Sequence, residues 1–223
     1  MTNSRLARAG VCAVLIGLLT VPPAAAQNAE PVRISLADMA LGGPPIGFAP
    51  GLTGSGGPVM WQIRPDATAP GGKVIGQVSQ DRIDNRFPVL LYNGAMLRDV
   101  DVSVRFKPIS GRSDRAAGII VRARDSNNYY VVRANALEDN VNIYRVVGGR
   151  RIQFGEADVP VASGQWQTLR LSAEGSTFKV WLNDQILFAA TDAAIAGAGR
   201  IGLWTKSDSV TLFEGLTYTN LAR

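Results

Sequence analysis

The chain has 223 residues, a formal net charge of +5, one cysteine and no histidine. Lack of histidine excludes the side chain that most often carries protons near neutral pH, and a single cysteine excludes a disulfide framework within the chain. Together these two facts remove the best ligands for transition metals, while a mildly basic balance does not by itself indicate a nucleic-acid partner.

Residues 1–26 are predicted to be a secretory signal peptide. Two arginines open the segment, an apolar run follows, and three alanines ending at Ala26 form a small-residue cleavage site. The apolar run is too short to span a membrane. Cys12 lies inside this run, whereas a lipoprotein would carry its cysteine directly after it. The mature protein, residues 27–223, is therefore expected to be periplasmic or secreted, without a membrane anchor.

The mature segment is predicted to be a single all-β domain. From Pro31 onward, short runs rich in Val, Ile, Phe, Tyr and Thr are separated by turn residues at intervals of about 8–12 residues, which is typical of a two-sheet antiparallel sandwich of about a dozen strands. The stretch 40–58 is rich in Gly and Pro and predicts a long loop. The sequence leaves the oligomeric state open.

Alternation along the strands assigns side chains to the two faces of each sheet. In Asp99–Phe106, apolar residues alternate strictly with polar ones, so one face of this strand is expected to be buried. Gly148-Gly149 and Asn183-Asp184 are pairs that accept the positive φ angles of tight hairpin turns. Both pairs are therefore predicted to join neighbouring antiparallel strands.

The same period of two divides the middle and last strands into an interior and an outward set. The residues expected in the interior are Ile119, Val121, Ala123, Tyr130, Val132, Ala134, Ile201 and Leu203. The outward set forms one predicted surface, made of Arg122, Tyr129, Arg133, Trp204 and Lys206. Indole and phenol rings offer flat apolar faces, and the cations donate hydrogen bonds.

Three stretches carry a family resemblance: "FAPGLTGSGGPVMW", "AAGIIVRARDSNNYYVVRANALEDNVNIYRVVGGRR" and "GRIGLWTKSDSVTLF". In this order they are similar to exported bacterial proteins of the concanavalin A-like lectin/glucanase superfamily. More narrowly, they resemble its laminin-G-like branch and the neighbouring 3-keto-disaccharide hydrolase domain. The resemblance covers about residues 40–220. It implies a jelly roll of two curved sheets, with a concave face where relatives bind or cleave sugars.

The resemblance also implies where catalytic residues would lie. Glucanases of glycoside hydrolase family 16 carry a strand reading Glu-x-Asp-x-x-Glu, but here Glu156 and Asp158 are followed by Val161, so that chemistry is not expected. The 3-keto-disaccharide hydrolase-like enzymes carry Gln-x-His-Gly where this chain has "GLWTKSD", and a lysine replaces the histidine. Lysine acts as a base only if burial lowers its pKa. The candidates for this weaker catalytic alternative are Lys206, Asp208 and Glu214.

Metal and nucleic-acid sites receive little support. No cofactor is expected, and calcium is the one metal that the oxygen ligands allow, with candidates Asp125, Asn127 and Asp139. Asx-rich hairpin turns explain the same residues through local hydrogen bonds. Although arginines cluster in mid-chain, Arg150 and Arg151 are expected at a hairpin tip and not on the face of Arg122 and Arg124, so no nucleic-acid partner is predicted.

These observations favour an exported, lectin-like carbohydrate-binding domain without its own catalytic apparatus. Trp204 and Tyr129 would be the ring platforms, and Arg122, Arg133 and Lys206 the polar contacts. The alternatives are a hydrolase or lyase acting on 3-keto-glycosides and a laminin-G-type protein-interaction module. A desolvated carboxylate beside Lys206 would favour the enzyme, a shallow aromatic groove would favour sugar binding, and a flat charged concavity would favour a protein partner.

Overall fold

A computed structural model describes residues 1–2 and 30–222 of the chain. The predicted signal peptide, apart from its first two residues, and its cleavage site therefore lie outside the described residues. Within the described ranges all regular elements are β-strands. No helix in this part of the chain has the length and apolar character that crossing a membrane requires.

Fifteen strands are described. They are β1 (Val32–Arg33), β2 (Phe48–Gly54), β3 (Trp61–Pro65), β4 (Lys73–Gln77), β5 (Arg86–Tyr92), β6 (Val100–Ser110), β7 (Ala116–Asp125), β8 (Asn128–Asn135), β9 (Asn140–Val147), β10 (Arg150–Asp158), β11 (Gln167–Glu174), β12 (Thr177–Leu182), β13 (Gln185–Thr191), β14 (Arg200–Trp204) and β15 (Val210–Asn220).

The strands form two antiparallel sheets. The eight-stranded sheet has the order β13-β12-β11-β6-β15-β4-β3, with β1 paired to β15, and the seven-stranded sheet has the order β10-β9-β8-β7-β14-β5-β2. Neighbours in the sheets are often distant in sequence, as where β15 lies between β6 and β4. The predicted two-sheet antiparallel sandwich is confirmed.

The main hydrophobic core lies between the two sheets and follows the predicted alternation. In β6, Val100, Val102, Val104 and Phe106 are buried in this core, whereas the residues between them are partly exposed. Each such side chain contributes about 1.5–3 kcal/mol when it leaves water. The interior set of β8 and β14 also lies in this core: Tyr130, Val132, Ala134, Ile201 and Leu203. The alternation therefore predicted the inward faces of these strands correctly.

Both predicted hairpin turns are present. Gly148 and Gly149 have φ angles of 56° and 77° and join β9 to β10. Asn183 and Asp184 have φ angles of 49° and 65° and join β12 to β13. Two successive residues with positive φ give a turn whose twist matches that of antiparallel strands, which is why these residue types occur there.

The prediction of a long loop over 40–58 is wrong in part, because this stretch contains β2. The strand pairs with β5 from Phe48 to Gly54 and is the last strand of its sheet. A proline such as Pro50 is tolerated at a sheet edge, where one side of the strand needs no ladder hydrogen bonds. Pairing with a buried neighbour thus overrides the loop-forming composition.

The face assignment of Arg122 and Ala123 is also wrong. Arg122 has a φ angle of 53°, and the pairing of β7 with β14 shifts by one residue between Ile120 and Ala123. Because side chains alternate, a one-residue bulge exchanges the faces of the residues that follow it. The Arg122 guanidinium carbon consequently lies 5.4 Å from the ring centroid of Phe178 in the core, and Ala123 lies on the opposite face.

Candidate functional site

The face of the seven-stranded sheet that points away from the core carries a second apolar cluster. Its members come from β5, β7, β8, β9 and β14, and all are buried: Phe87, Val89, Leu91, Ala116, Ile120, Ala123, Tyr129, Val131, Tyr144, Val146 and Trp204. An outer face of a flat sheet would expose such residues to water. Their burial therefore requires that the sheet bend around them.

One long contact shows how strongly the sheet bends. Arg151 lies in β10 and Phe87 in β5, five strand spacings apart in the sheet order. In a flat sheet five spacings would separate the backbones by about 24 Å. The guanidinium carbon of Arg151 nevertheless lies 4.7 Å from the Phe87 ring centroid. This face is therefore concave, and we call it the concave face.

Register aligns a row of residues across the floor of the concave face. The row runs Val89, Trp204, Gly118, Arg133, Asn142 and Glu156, each paired with the next on the neighbouring strand. A Cβ on Gly118 would lie 2.7 Å from the carbonyl oxygen of Val132 and 3.2 Å from Trp204 Cβ, so glycine is required there. The row is apolar at one end and polar at the other.

The apolar end is built around Trp204. Its ring stacks on Phe87, with centroids 5.5 Å apart and an interplanar angle of 14°, and its Nε1 donates to the Tyr129 hydroxyl at 3.3 Å. The same hydroxyl lies 2.8 Å from Thr53 Oγ1, and burial raises the pKa of Tyr129 to about 12. Trp204 and Tyr129 face outward as predicted, but both are 0% exposed. The prediction that they are open platforms is wrong, because the curled sheet encloses both rings.

Arg151 lies over these rings. Its guanidinium carbon is 4.4 Å from the Tyr144 centroid, 4.7 Å from Phe87 and 5.8 Å from Trp204. The residue is half-buried, and its Nη1 is buried without a hydrogen-bond partner among the described residues. The sequence placed Arg151 at a hairpin tip and missed this role, because only the bending of the sheet brings β10 over β5.

The polar end contains a buried carboxylate beside a lysine. Lys206 Nζ lies 2.6 Å from Asp84 Oδ1 and 3.0 Å from Asp114 Oδ2. Asp114 is 1% exposed, and neither of its oxygens receives a well-oriented hydrogen bond within the described part of the chain. Burial raises the pKa of Asp114, and Lys206 only partly opposes this shift. This is the desolvated carboxylate that would favour an enzyme.

The carboxylates of Asp84 and Asp114 also determine the protonation state of Lys206. Burial lowers the pKa of Lys206, but Asp84 and Asp114 outweigh it, and the net shift is upward. The lysine therefore keeps its proton at neutral pH and cannot act there as a general base. Its predicted place on the outward surface still puts it beside the other polar groups of the concave face.

Arg133 also lies at the polar end, on the outward side that alternation predicted, and its role as a ligand contact stays a prediction. It is 2% exposed, and its Nη2 donates to Glu138 Oε2 at 2.9 Å and to Asn140 Oδ1 at 2.5 Å. Its Nε has no partner among the residues described. Asn142, next in the row, lies 3.0 Å from the Tyr144 hydroxyl and 3.3 Å from Gln153 Oε1. A polar chain thus leads from Arg133 toward the edge strand β10.

Arg122 does not belong to this surface, which corrects its prediction as a ligand contact. Its guanidinium donates to the backbone carbonyl oxygens of Arg98 at 2.7 Å and Gly175 at 2.6 Å, and the bulge turns it toward the core. Burial lowers the pKa of Arg122, with Asp99 opposing the shift. The side chain is a structural link between loops.

The weaker catalytic set also does not assemble. Asp208 accepts backbone N–H groups from the loop before β7, and Glu214 lies on the eight-stranded sheet, where it pairs with Arg33 and Arg105. Lys206, Asp208 and Glu214 therefore do not form one site. Sequence reasoning missed Asp114, which carries no motif and is brought to Lys206 only by the pairing of β7 with β14.

The carboxylates of the calcium candidates accept hydrogen bonds from the protein itself. Asp125 Oδ1 accepts from Asn127 N at 2.7 Å and from Asn128 Nδ2 at 2.9 Å, and Asp139 Oδ1 accepts from Val161 N at 2.9 Å. The described ranges contain no group of three or more acidic, cysteine or histidine residues that could hold a metal. An Asx turn explains the geometry of Asp125, and Asp139 instead links two distant segments. Calcium binding stays a prediction.

Two sequence comparisons bear on the family. The family model described as the 3-keto-alpha-glucoside-1,2-lyase-like domain matches residues 59–215. The levanase of Bacillus subtilis (strain 168) is 26% identical over 110 residues, which cover 48% of this chain and 16% of the levanase. The match thus spans a small part of that enzyme.

Solved structures show the same fold. The carbohydrate binding module CBM66 from Bacillus subtilis aligns with a TM-score of 0.63 and 21% identity, over 78% of this chain and 96% of the module. Domain 4 of AbnA, an extracellular arabinanase from Geobacillus stearothermophilus solved in complex with arabinotriose, aligns with a TM-score of 0.50 and 16% identity, over 77% of this chain and 82% of that domain. Both likenesses support the jelly-roll sandwich.

Proposed function

Because the chain belongs to the 3-keto-alpha-glucoside-1,2-lyase-like domain family, we propose that its concave face binds carbohydrate. One observation carries the proposal. Of nine buried side-chain polar atoms without a hydrogen-bond partner in the described part of the chain, four lie on this face, on Asp114, Arg133 and Arg151, although Lys206 Nζ lies 3.0 Å from Asp114 Oδ2. Leaving a buried polar atom unpaired costs about 1–3 kcal/mol, so such a concentration points to a polar ligand.

The unpaired atoms are complementary to sugar hydroxyls. The two oxygens of Asp114 accept hydrogen bonds, while Arg133 Nε and Arg151 Nη1 donate them. A hydroxyl both donates and accepts, so one sugar can satisfy both kinds of group. The aromatic rings beneath Arg151 provide an apolar floor that excludes water and strengthens these hydrogen bonds.

The related proteins support the same ligand class. CBM66 is a carbohydrate binding module, the AbnA domain was solved with arabinotriose, and levanase is named for its polysaccharide. The extracellular location of AbnA supports the prediction that this protein acts in the periplasm or outside the cell. The concave face is deeply curved with an apolar floor, which does not favour the laminin-G-type protein partner.

The test is a glycan-array screen of mature protein, followed by calorimetric titration with the retained glycans and with levan and arabinotriose as fixed probes. Asp114→Asn should weaken binding about 10- to 100-fold, since a hydrogen bond to a charged group contributes about 1.5–3 kcal/mol. Asp184→Asn, in the exposed β12–β13 turn, is the matched control and should bind like the unmodified protein. A screen that retains no glycan, or equal binding by Asp114→Asn, contradicts the proposal.

The buried carboxylate beside Lys206 supports a second candidate, elimination on a 3-keto-glycoside. In this reaction ionised Asp114 would take the proton from C2, next to the ketone, as the C1–C2 double bond forms and the C1–O bond breaks. Lys206, which keeps its proton, would protonate the departing oxygen. A raised carboxyl pKa suits a base working near neutral pH.

Mass spectrometry of a 3-keto-glucoside incubated with mature protein tests this candidate. Turnover is expected in the unmodified protein and is expected to be lost in both Asp114→Asn and Lys206→Ala. Binding that persists while no turnover is detected would leave the protein a carbohydrate-binding domain and rule out the elimination.

A further inference from the structure

We infer that Asp208 is a positioning residue of the concave face, because its carboxylate holds the backbone turn that carries Asp114. The inference rests on the proposed function, in which Asp114 contacts the ligand. It gives Asp208 a different role from the catalytic one considered on sequence grounds.

The side-chain hydrogen bonds of Asp208 are directed at that turn. Its Oδ2 accepts from Arg112 N at 2.8 Å, and its Oδ1 accepts from Ser113 N at 3.0 Å and Asp114 N at 3.1 Å. Three successive backbone N–H groups that converge on one anion form a concave nest, and the carboxylate takes the place that a bound anion would occupy. Asp208 itself is 4% exposed.

These amides stabilise the charge that they surround. Burial raises the pKa of Asp208, but the N–H groups of the nest outweigh it, and the net shift is downward. Asp208 is therefore ionised at neutral pH. Both of its oxygens are occupied by the nest, with Arg82 Nε 3.6 Å from Oδ2, so Asp208 has no free atom for a ligand. Its influence on the concave face must pass through the turn.

The turn is tight, and the same short segment holds it from two sides. Gly111 has a φ angle of 147°, and a Cβ there would lie 1.8 Å from the carbonyl oxygen of Asp114. Lys206, two residues before Asp208, pairs with the Asp114 carboxylate. Ser209, one residue after it, accepts from Ala116 N at 3.0 Å. Segment 206–209 thus fixes both the backbone and the side chain of Asp114.

This arrangement keeps the Asp114 carboxylate buried beside Lys206 Nζ, with Oδ1 unpaired in the described part of the chain and able to accept a hydrogen bond from a ligand. If the amides of the nest lost their acceptor, they would turn toward water, and the turn would open. Asp114 would then be hydrated before the ligand arrives, and binding would have to remove that water. A site prepared in advance avoids this cost.

The experiment follows the Asp114 carboxyl carbon by NMR titration in mature protein, which requires no ligand. In Asp208→Asn and Asp208→Glu, the pKa of Asp114 is expected to fall toward about 3.9, the ordinary value for aspartate. The glutamate variant keeps the negative charge but displaces the carboxylate by one methylene, so it separates position from charge. Faster hydrogen exchange at the amides of 112–114 should accompany the shift. An unchanged pKa in the glutamate variant would overturn the inference.

Asp192→Asn is the matched control for general loss of stability. Asp192 is also buried, and it accepts from Tyr130 Oη at 2.7 Å and Ala194 N at 2.8 Å, contacts remote from the concave face. It should lower the melting temperature without moving the pKa of Asp114. An equal pKa shift in Asp192→Asn would show that any destabilised variant has this effect, and would overturn the positioning role.

Binding measurements on the same variants distinguish a failure of this inference from a failure of the proposed function. With levan, arabinotriose and the array glycans as probes, Asp208→Asn should weaken binding about 10-fold alone and add nothing in an Asp114→Asn background, because coupled residues are non-additive. Loss of binding in Asp114→Asn with normal binding in Asp208→Asn contradicts positioning alone. If no probe binds, the proposed function fails, and the titration still decides whether Asp208 positions Asp114.

Discussion

Arg151 links the two halves of the candidate site at the scale of single residues. It covers the rings of Phe87, Tyr144 and Trp204, and its buried Nη1 has no hydrogen-bond partner among the described residues. A cation over an aromatic ring contributes about 0.5–1 kcal/mol when exposed and about 2 kcal/mol or more when desolvated. Because Arg151 is half-buried over three rings, its contribution should lie between these limits.

Arg151→Ala is therefore expected to lower the free energy of unfolding by about 1–2 kcal/mol, measured by urea denaturation. Arg150→Ala is the control, since Arg150 is exposed and has no described aromatic partner, and it should change stability by less than about 0.5 kcal/mol. Equal losses in the two variants would show that the rings do not bind the guanidinium. Glycan binding should weaken in Arg151→Ala alone.

For single residues, the sequence predicted which face of the sheet a side chain lies on better than which residues it contacts. Alternation placed Trp204, Tyr129 and Arg133 on the outward side of their strands, and the structure confirms this side for each, whereas Lys206 lies beyond the end of β14. It did not predict that Trp204 and Tyr129 would be enclosed, or that Asp114 and Arg151 would join them. Those facts depend on the curvature of the sheet and on pairing between distant strands, which periodicity along one strand does not contain.

At the scale of elements, the close packing of β7 against its neighbouring strands depends on one glycine. Gly118 lies between Arg133 and Trp204 in the floor of the concave face, with the Val132 carbonyl oxygen 2.7 Å from the position of a Cβ. Gly118→Ala should cost about 1–3 kcal/mol, because a backbone atom cannot move aside as a flexible side chain does. Thermal unfolding of the mature protein measures this loss.

Gly71→Ala provides the control for this prediction. Gly71 has no atom within 4 Å of its Cβ position and no strained φ angle, so the substitution should leave the melting temperature nearly unchanged. A Gly118→Ala variant as stable as Gly71→Ala would mean that β7 and β8 can separate without cost, and would contradict the close packing of the floor.

Local chemistry explains which elements were predicted. Hairpins at Gly148-Gly149 and Asn183-Asp184 depend on two adjacent residues that accept positive φ, and such pairs are visible in the sequence. The bulge at Arg122 is not visible, because arginine rarely has positive φ and its conformation is held by contacts with Arg98 and Gly175. Likewise, β2 is a strand only because β5 pairs with it.

At the scale of the whole molecule, an ion pair on the eight-stranded sheet makes stability depend on pH. Lys107, Thr68 and a backbone N–H hydrogen-bond to Asp66, with the lysine contributing most, and lower the pKa of Asp66 from 3.8 to about 2. A carboxyl whose pKa is lower in the folded state stabilises the fold fully above its ordinary value. This contribution is lost as the pH falls from about 4 to about 2.

Asp66→Asn should therefore make the free energy of unfolding depend less steeply on pH in the acid range. Urea midpoints measured between about pH 4 and pH 2 are expected to fall less steeply in the variant than in the unmodified protein, although the variant is less stable at neutral pH. Asp38→Asn, at an exposed turn residue, should leave the curve unchanged. Parallel curves for the unmodified protein and Asp66→Asn would contradict the assigned ion pair.

The curled sheet also has a consequence for how such a domain can acquire new specificity. The aromatic rings on the floor of the concave face pack against one another and hold the sheet in its bent shape. Substituting them to suit another sugar would therefore lower the stability of the domain. Rim residues such as Asp84, Glu138 and Gln153 are exposed and come from turns or the edge strand. A mutagenesis library aimed at altered glycan preference should therefore diversify the rim and leave the floor intact.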